Sequence, residues 1–227
     1  IVDLYVQMVL VRTLDERVWA LNRQGKVAIV ASSQGHEAAQ IGSVKAAQKD
    51  ADYFLFPYYR DLALKVSAGL TPKEAMFSFM GKESDPFSGG RQFPLQGASL
   101  KHRIIQISNV VGAGLTQAVG YALACRLLGE NTVVLAYFGD GGASIGECHE
   151  AMNFASVHRL PVIFICENNG YAISVPLKKQ MAIENIADRA ISYGFPGFVV
   201  DGMDILKVYS ATAEGIKHAR NEGPILL

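Results

Sequence analysis

The chain has 227 residues, half of them hydrophobic, with 21 Lys and Arg balanced by 21 Asp and Glu. That composition suits a folded protein with one large core or two modest ones, argues against disorder, and lacks the like-charge run that nucleic acid or an anionic membrane surface would call for. The longest apolar runs, such as "LPVIFIC", fall far short of the roughly 18 residues of a membrane span, and Cys125, Cys148 and Cys166 are too few and too scattered for a disulfide framework or a zinc site. A soluble protein of a reducing compartment is expected, with small molecules and other proteins as its partners.

In chain order, "VDLYVQMVLVRTLDERVWALNRQG" places Leu4, Met8, Val11, Leu14, Val18 and Leu21 at three- and four-residue spacing before Gly25, which predicts an amphipathic helix. A second helix is expected over "HEAAQIGSVKAAQ". "FLFPYYRDLALKVSAG" then holds a short apolar segment, an X-Pro break at Pro57 and a further helix. Thr71, Pro72 and Glu74 form an N-terminal signature for the helix "TPKEAMFSFM". Gly81 to Ser99 is rich in Gly, Pro, Ser and Asp and is expected to be a long loop.

From residue 104 the texture changes. "RIIQISNVVGAG" looks like a buried segment ending in a glycine-rich turn, followed by the small-residue helix "LTQAVGYALACRLLG". Strands are then expected at "TVVLAYF", "PVIFICEN", "GFVVDG" and "GPILL", separated by helices beginning near Gly146 and over "IENIADRAISYG" and "ILKVYSATAEGIKHARN". This alternation predicts an α/β, doubly wound, mostly parallel sheet with helices on both faces, preceded by N-terminal helices. The division expected is a single domain over 1–227, with a helical part at 1–80, the loop at 81–99 and the α/β core at 100–227. Ile1 falls inside a helical pattern and Leu227 inside a strand pattern, so truncation at both ends is expected.

Ligands of such a sheet sit beyond the carboxyl ends of the strands. Two expected strand ends carry unusual residues: Gly139, Asp140 and Gly141, and then Glu167, Asn168, Asn169 and Gly170. The 26 residues between Gly141 and Asn168 amount to one helix and one strand, which brings Asp140 and Asn169 to one crevice. A carboxylate, an amide oxygen and a nearby backbone carbonyl suit Mg²⁺, which takes its remaining ligands from water and phosphates. The glycines allow close approach to phosphate oxygens, and the helix near Gly146 offers its N-terminal amides. A dinucleotide fingerprint does not fit: Ser144 stands where a third glycine is needed, and Asp140 would repel a bare pyrophosphate.

G-D-G followed one helix and one strand later by N-N resembles the thiamine-diphosphate motif. "SQGHEAAQ", "FPYYRD", "SGGRQ", "GDGGASIGECHEAMNFA", "ENNGYAISVP" and "VDGMD" likewise resemble blocks of the alpha subunit of the 2-oxo acid dehydrogenase decarboxylating component, spread over nearly the whole chain. "LPVIFICENNGYAISVP" and "FPYYRDLAL" are most like the branched-chain 2-oxo acid enzymes, with the pyruvate enzymes next.

The resemblance implies thiamine diphosphate and Mg²⁺ as cofactors, with the Asp140 and Asn169 side chains and the Tyr171 carbonyl on the metal. It implies Gly141, Gly142 and Ala172 against the diphosphate, Tyr59 and Arg60 in contact with it, and Ser108, Asn109 and Val111 along the pyrimidine and thiazolium. Guanidinium forks pair well with phosphate oxygens, which gives Arg60 a physical reason. Ile29, Ser33 and His36 would stand on the substrate side with Tyr59 and Asn109, with His36 the one catalytic candidate of this chain; read alone, His36 could equally be a helix cap or a buried hydrogen-bonder.

The implied activity is oxidative decarboxylation of a branched-chain 2-oxo acid with acyl transfer to a lipoyl-bearing acyltransferase core. The catalytic Glu would come from a beta subunit in an alpha₂beta₂ heterotetramer, so the chain alone would be inactive. The compartment would be the cytoplasm of a bacterium or a mitochondrial matrix.

Where many branched-chain relatives carry Ser-Ser-Pro and a later polar pair, which in some members bind potassium, this chain has Ser108, Asn109 and Val110, then Ala113 and Gly114. A potassium site therefore does not follow, and "NVVGA" is more like the pyruvate branch. A pyruvate or acetoin enzyme, a non-catalytic Mg²⁺ and diphosphate-binding regulatory subunit, and a single-chain transketolase-type enzyme with its own glutamate stay open as alternatives. Phe54, Phe56 and Tyr58 are expected to pack in the core or an interface, His149 and His158 to be structural, and Cys148, without a neighbouring base, not to be a nucleophile.

Overall fold

The computed structural model describes residues 1–49, 52–106 and 108–227; Ile107, in the "ISNVVGAG" segment, lies outside them. The N-terminal part contains α1 (Val2–Arg23), α2 (Glu37–Gln48), β1 (Tyr53–Phe56), α3 (Leu62–Ser67) and α4 (Pro72–Phe79). Val11, Leu14, Val18 and Leu21 are the buried stripe of α1, and they pack with residues of α3 and α4 into one apolar cluster. Helix α4 begins with a full capping box: the Glu74 amide donates to the Thr71 hydroxyl, and the Glu74 carboxylate accepts from the Thr71 amide.

The α/β part follows as β2 (Gly97–Ser99), β3 (Ile104–Gln106), α5 (Ala113–Leu127), β4 (Val133–Gly139), α6 (Gly146–Val157), β5 (Val162–Glu167), β6 (Tyr171–Ala172), β7 (Val175–Pro176), α7 (Leu177–Gln180), α8 (Ile205–Asn221) and β8 (Ile225–Leu226). The main sheet has the order β2-β3-β1-β4-β5-β8; every neighbouring pair is parallel except β2 with β3.

The burial of β4 gives the reason for the layers. Val134, Ala136 and Phe138 join the core under α5 and α6, whereas Val133, Leu135 and Tyr137 join the core under α2 and α8. Alternate side chains thus enter opposite faces, both apolar, as the two-residue period of a strand requires. The doubly wound α/β reading holds.

Three local expectations are corrected. Residues 81–99 are not loop throughout, because Gly97–Ser99 pair with Gln106, Ile105 and Ile104 as an antiparallel edge strand. "GFVVDG" is not a strand: it meets the sheet through one bridge, Gly197 to Leu226, while Phe198 and Val199 are exposed. Its neighbour β8 pairs over only two residues, and Gly197 is pressed instead onto the preceding segment, where an added Cβ would fall 2.2 Å from the Ala187 carbonyl oxygen. The helix expected from Ile183 begins later and is a 3₁₀ helix, Ile186–Tyr193. The small β6–β7 hairpin and α7 were not foreseen. None of the helices among the described residues is long and apolar enough to cross a membrane.

Candidate cation and diphosphate site

The sheet order reverses at β1: β3 is added on one side, β4 and β5 on the other. At such a switch point the loops leaving the strand ends part and leave a crevice. Tyr58, Tyr59 and Arg60 leave β1, Ser108 and Asn109 follow β3, Asp140 leaves β4, and Asn168 and Asn169 leave β5.

Gly139 pairs with Glu167 in the parallel register of β4 and β5, so Asp140 and Asn168 are the next residues on adjacent strands. Past Asp140 the chain makes a 3₁₀ turn, Gly142–Ser144, with the Ala143 amide donating to the Asp140 carbonyl at 3.1 Å. The Arg189 guanidinium donates to the Ala143 carbonyl and pins this turn from the other side. Past β5 two side-chain turns follow in succession: Asn168 Oδ1 accepts from the Gly170 amide at 2.9 Å and Asn169 Oδ1 from the Tyr171 amide at 3.0 Å. Gly170 takes φ +82°, which reverses the chain into β6 and β7.

These two turns touch. A Cβ on Gly141 would stand 2.9 Å from the Ala172 Cβ, so only glycine fits at 141 against this neighbour. A third loop reaches the same place: Gly112, at φ +76°, packs against Ile145, the residue before α6, and lies close to the Gly142 carbonyl. The structure therefore brings together the expected residues Asp140, Gly141, Gly142, Asn169, Tyr171 and Ala172, with the loop of Ser108, Asn109 and Val111 beside them. The Tyr58 ring closes on Gly139 from β1, and Tyr59 sits edge-on to Tyr58 with the Arg60 guanidinium 5.6 Å over its ring centroid.

Several polar atoms here have no hydrogen-bond partner among the described residues. Arg60 donates through Nη1 to the Ser32 carbonyl at 3.2 Å, yet its Nε is buried without a hydrogen bond, as is Asn109 Oδ1. Asp140 is 1% exposed and accepts from Gln180 Nε2 at 3.0 Å through Oδ2. A buried carboxylate, polar side-chain atoms unpaired among the described residues and a cradle that a Cβ would fill form a set that could hold a polar ligand and a cation.

The family model for the dehydrogenase E1 component matches residues 5–227. The chain belongs to that family. It is 50% identical, over its whole length, to the 2-oxoisovalerate dehydrogenase subunit alpha of Bacillus subtilis (strain 168), and spans 68% of that protein. It is 42% identical to the pyruvate dehydrogenase E1 component subunit alpha of Staphylococcus aureus (strain Mu50), of which it spans 58%. The fold is shared with a transketolase from Campylobacter jejuni at a TM-score of 0.58 and 18% identity, over 85% of this chain and 36% of that one.

Beneath the crevice of this E1 chain lies a buried polar cluster. Glu167 Oε2 accepts from Gln40 Nε2 at 2.9 Å and from the Tyr58 hydroxyl at 3.4 Å, and stands 3.0 Å from His36 Nδ1; Oε1 is buried without a partner. The Gln40 amide reaches Asp61 Oδ1 as well, at 3.2 Å, and Asp61 Oδ2 accepts from the Tyr58 amide at 2.7 Å. Asp61 thereby shapes the turn that carries Tyr59 and Arg60. Burial, and then the Glu167 charge, push its carboxyl well above the usual carboxylate range. Burial also lowers Lys65 to about 8.

His36 is thus a partly buried partner of Glu167 and not a side-chain cap, although it is the residue before α2. Ser33 is held instead by α1: Asp15 Oδ2 accepts from the Ser33 amide at 2.7 Å and from its hydroxyl at 3.2 Å. Ile29, about half exposed, is not tied to the strand ends by any hydrogen bond or ion pair among the described residues. Phe54 and Phe56 pack on Tyr121 as core aromatics. Burial pushes the Cys148 thiol up to about 12, so it is not a nucleophile at neutral pH.

Proposed function

We propose that this chain is the alpha subunit of a thiamine-diphosphate- and Mg²⁺-dependent 2-oxo acid dehydrogenase acting on a branched-chain 2-oxo acid. The observation that carries the reading is the meeting of two turns: Asp140 and Gly141 after β4 against Asn169, Tyr171 and Ala172 after β5. The side chains of Asp140 and Asn169 and the Tyr171 carbonyl would hold the cation. Gly141, Gly142 and Ala172 would lie along the diphosphate, with the Arg60 fork and Tyr59 closing over it from β1. Ser108, Asn109 and Val111 would line the rings, Asn109 using the oxygen that has no partner among the described residues.

Thiamine diphosphate, when bound, supplies the electron sink that loss of CO₂ from a 2-oxo acid requires. The residues of this chain anchor, orient and neutralise. Asp140 contributes one negative charge, which offsets the cation in part and leaves it net positive toward the phosphates. Asp61 and Gln40 hold the Tyr58–Arg60 turn in place from below. His36, fixed by Glu167, is the one candidate here for handling a proton on the substrate side, with Ile29, Tyr59 and Asn109 around the acyl group. No carboxylate of this chain is assigned to the aminopyrimidine; that Glu would come from a beta subunit in an alpha₂beta₂ assembly, which would pass the acyl group to a lipoyl-bearing acyltransferase.

The branched-chain substrate is favoured by the nearer likeness to the 2-oxoisovalerate enzyme. The pyruvate reading rests on the "NVVGA" segment. Reconstitution with the beta subunit decides between them: turnover of 3-methyl-2-oxobutanoate above pyruvate is expected, and the reverse order would move the chain to the pyruvate branch. A reconstituted complex of Asp140→Ala that kept full turnover would make the chain a regulatory subunit.

A further inference from the structure

Gln180 lies at the end of the four-residue helix α7, 40 positions beyond Asp140, and nothing in the sequence pattern marks it. Its amide joins both arms of the site. Nε2 donates to Asp140 Oδ2 at 3.0 Å and to the Val175 carbonyl at 3.1 Å, and Oε1 accepts from the Ser144 hydroxyl at 3.4 Å. Two donors meet two acceptors and the one acceptor meets a hydroxyl, so this side chain is satisfied in one orientation only. Val175 belongs to β7, whose partner β6 carries Tyr171 and Ala172, while Ser144 ends the turn that begins at Asp140.

We propose that Gln180 is a positioning residue for the cation site, resting on the reading of Asp140 and the Asn169–Tyr171 turn as its ligands. Its hydrogen bond to Oδ2 restricts the orientation of the carboxylate and leaves Oδ1 available to the metal. By bridging to Val175 and Ser144 it sets the spacing between the two ligand-bearing turns. Mg²⁺ demands near-ideal octahedral geometry, so an arm displaced by a fraction of an ångström costs affinity, and partners that orient ligands are typically worth 10- to 100-fold. An uncharged amide does this without competing with the cation, as a lysine would.

The test uses the assembled enzyme with its beta subunit. Mn²⁺ binding is followed by electron paramagnetic resonance with thiamine diphosphate present, for the unaltered chain, Gln180→Met and Gln180→Ala. Met keeps the length and loses the donors. Both variants are expected to bind Mn²⁺ roughly 10- to 100-fold more weakly, to keep the metal-free thermal midpoint, and to recover thiamine diphosphate binding at high metal concentration. Unaltered Mn²⁺ affinity in both variants would overturn the role of Gln180 alone, and so would a collapse of the metal-free midpoint, which would make Gln180 a support of the fold. Failure of the unaltered enzyme to bind Mn²⁺ would overturn the cation site itself.

Discussion

His36 Nδ1 and Glu167 Oε2 meet at 3.0 Å, joining the start of α2 to the end of β5 beneath the crevice. A carboxylate at that distance favours the tautomer with the proton on Nδ1, which leaves Nε2 for other partners. ¹⁵N NMR of the neutral imidazole is expected to find the Nδ1–H form dominant, and Glu167→Ala to release it to a mixture of both tautomers. An Nε2–H ring in the unaltered chain would contradict this arrangement.

Arg60 presents a planar fork with a buried Nε that no atom among the described residues satisfies. Lysine keeps the charge and loses the fork, so Arg60→Lys is expected to weaken thiamine diphosphate binding by about tenfold or more, and Arg60→Met further. Inorganic pyrophosphate should compete with the cofactor for the unaltered enzyme and lose that ability in Arg60→Met. Equal competition in both would remove Arg60 from the diphosphate site.

The contact of Gly141 with Ala172 gives a reciprocal test. Gly141→Ala places two methyl carbons 2.9 Å apart and must push the β6–β7 hairpin away. Cofactor affinity should fall with little change in thermal midpoint, and Ala172→Gly in the same chain should restore much of it. Additive losses in the double variant would show that the two turns are not coupled.

The doubly wound sheet was legible because it rests on repeated local patterns: alternating apolar strands, amphipathic helices, and glycine at the strand ends. The adjacency of the two strand ends that carry Asp140 and Asn169 was legible because one helix and one strand separate them, a distance that a parallel crossover closes. Gln180, Asp61 and Asp15 were not, because their roles depend on contacts across 40, 106 and 18 positions, as with Asp140, Glu167 and Ser33, which no local period encodes. "GFVVDG" misled for the opposite reason: its composition is that of a strand, but the β8 edge offers it a single bridge.

Asp85 orders residues of its own loop. Its carboxylate accepts from the Ser88 amide and hydroxyl, at 3.0 and 2.8 Å, and from the Gly90 amide at 3.2 Å. Burial opposes ionisation, but these donors outweigh it and hold the pKa below the usual aspartate value. A folded pKa below the unfolded one means that the stabilisation is present above about pH 4 and is lost as pH falls through the folded value. Asp85→Ala should cost roughly 2 kcal/mol at neutral pH and quicken amide exchange across residues 81–96. Thermal midpoints of the two chains should converge as pH falls below the ordinary aspartate range; a gap that stayed constant would show that the ionised carboxylate is not what orders the loop.

Calorimetric titration of thiamine diphosphate into the chain assembled with its beta subunit tests the cation bridge most directly. Binding is expected with Mg²⁺, and is expected to be lost on chelation and in Asp140→Ala by more than about a hundredfold, since a ligand that carries the charge should matter more than partners that merely orient it. Equally tight binding with a chelator present, or in Asp140→Ala, would contradict the assignment of Asp140 as the residue that holds the diphosphate through a metal.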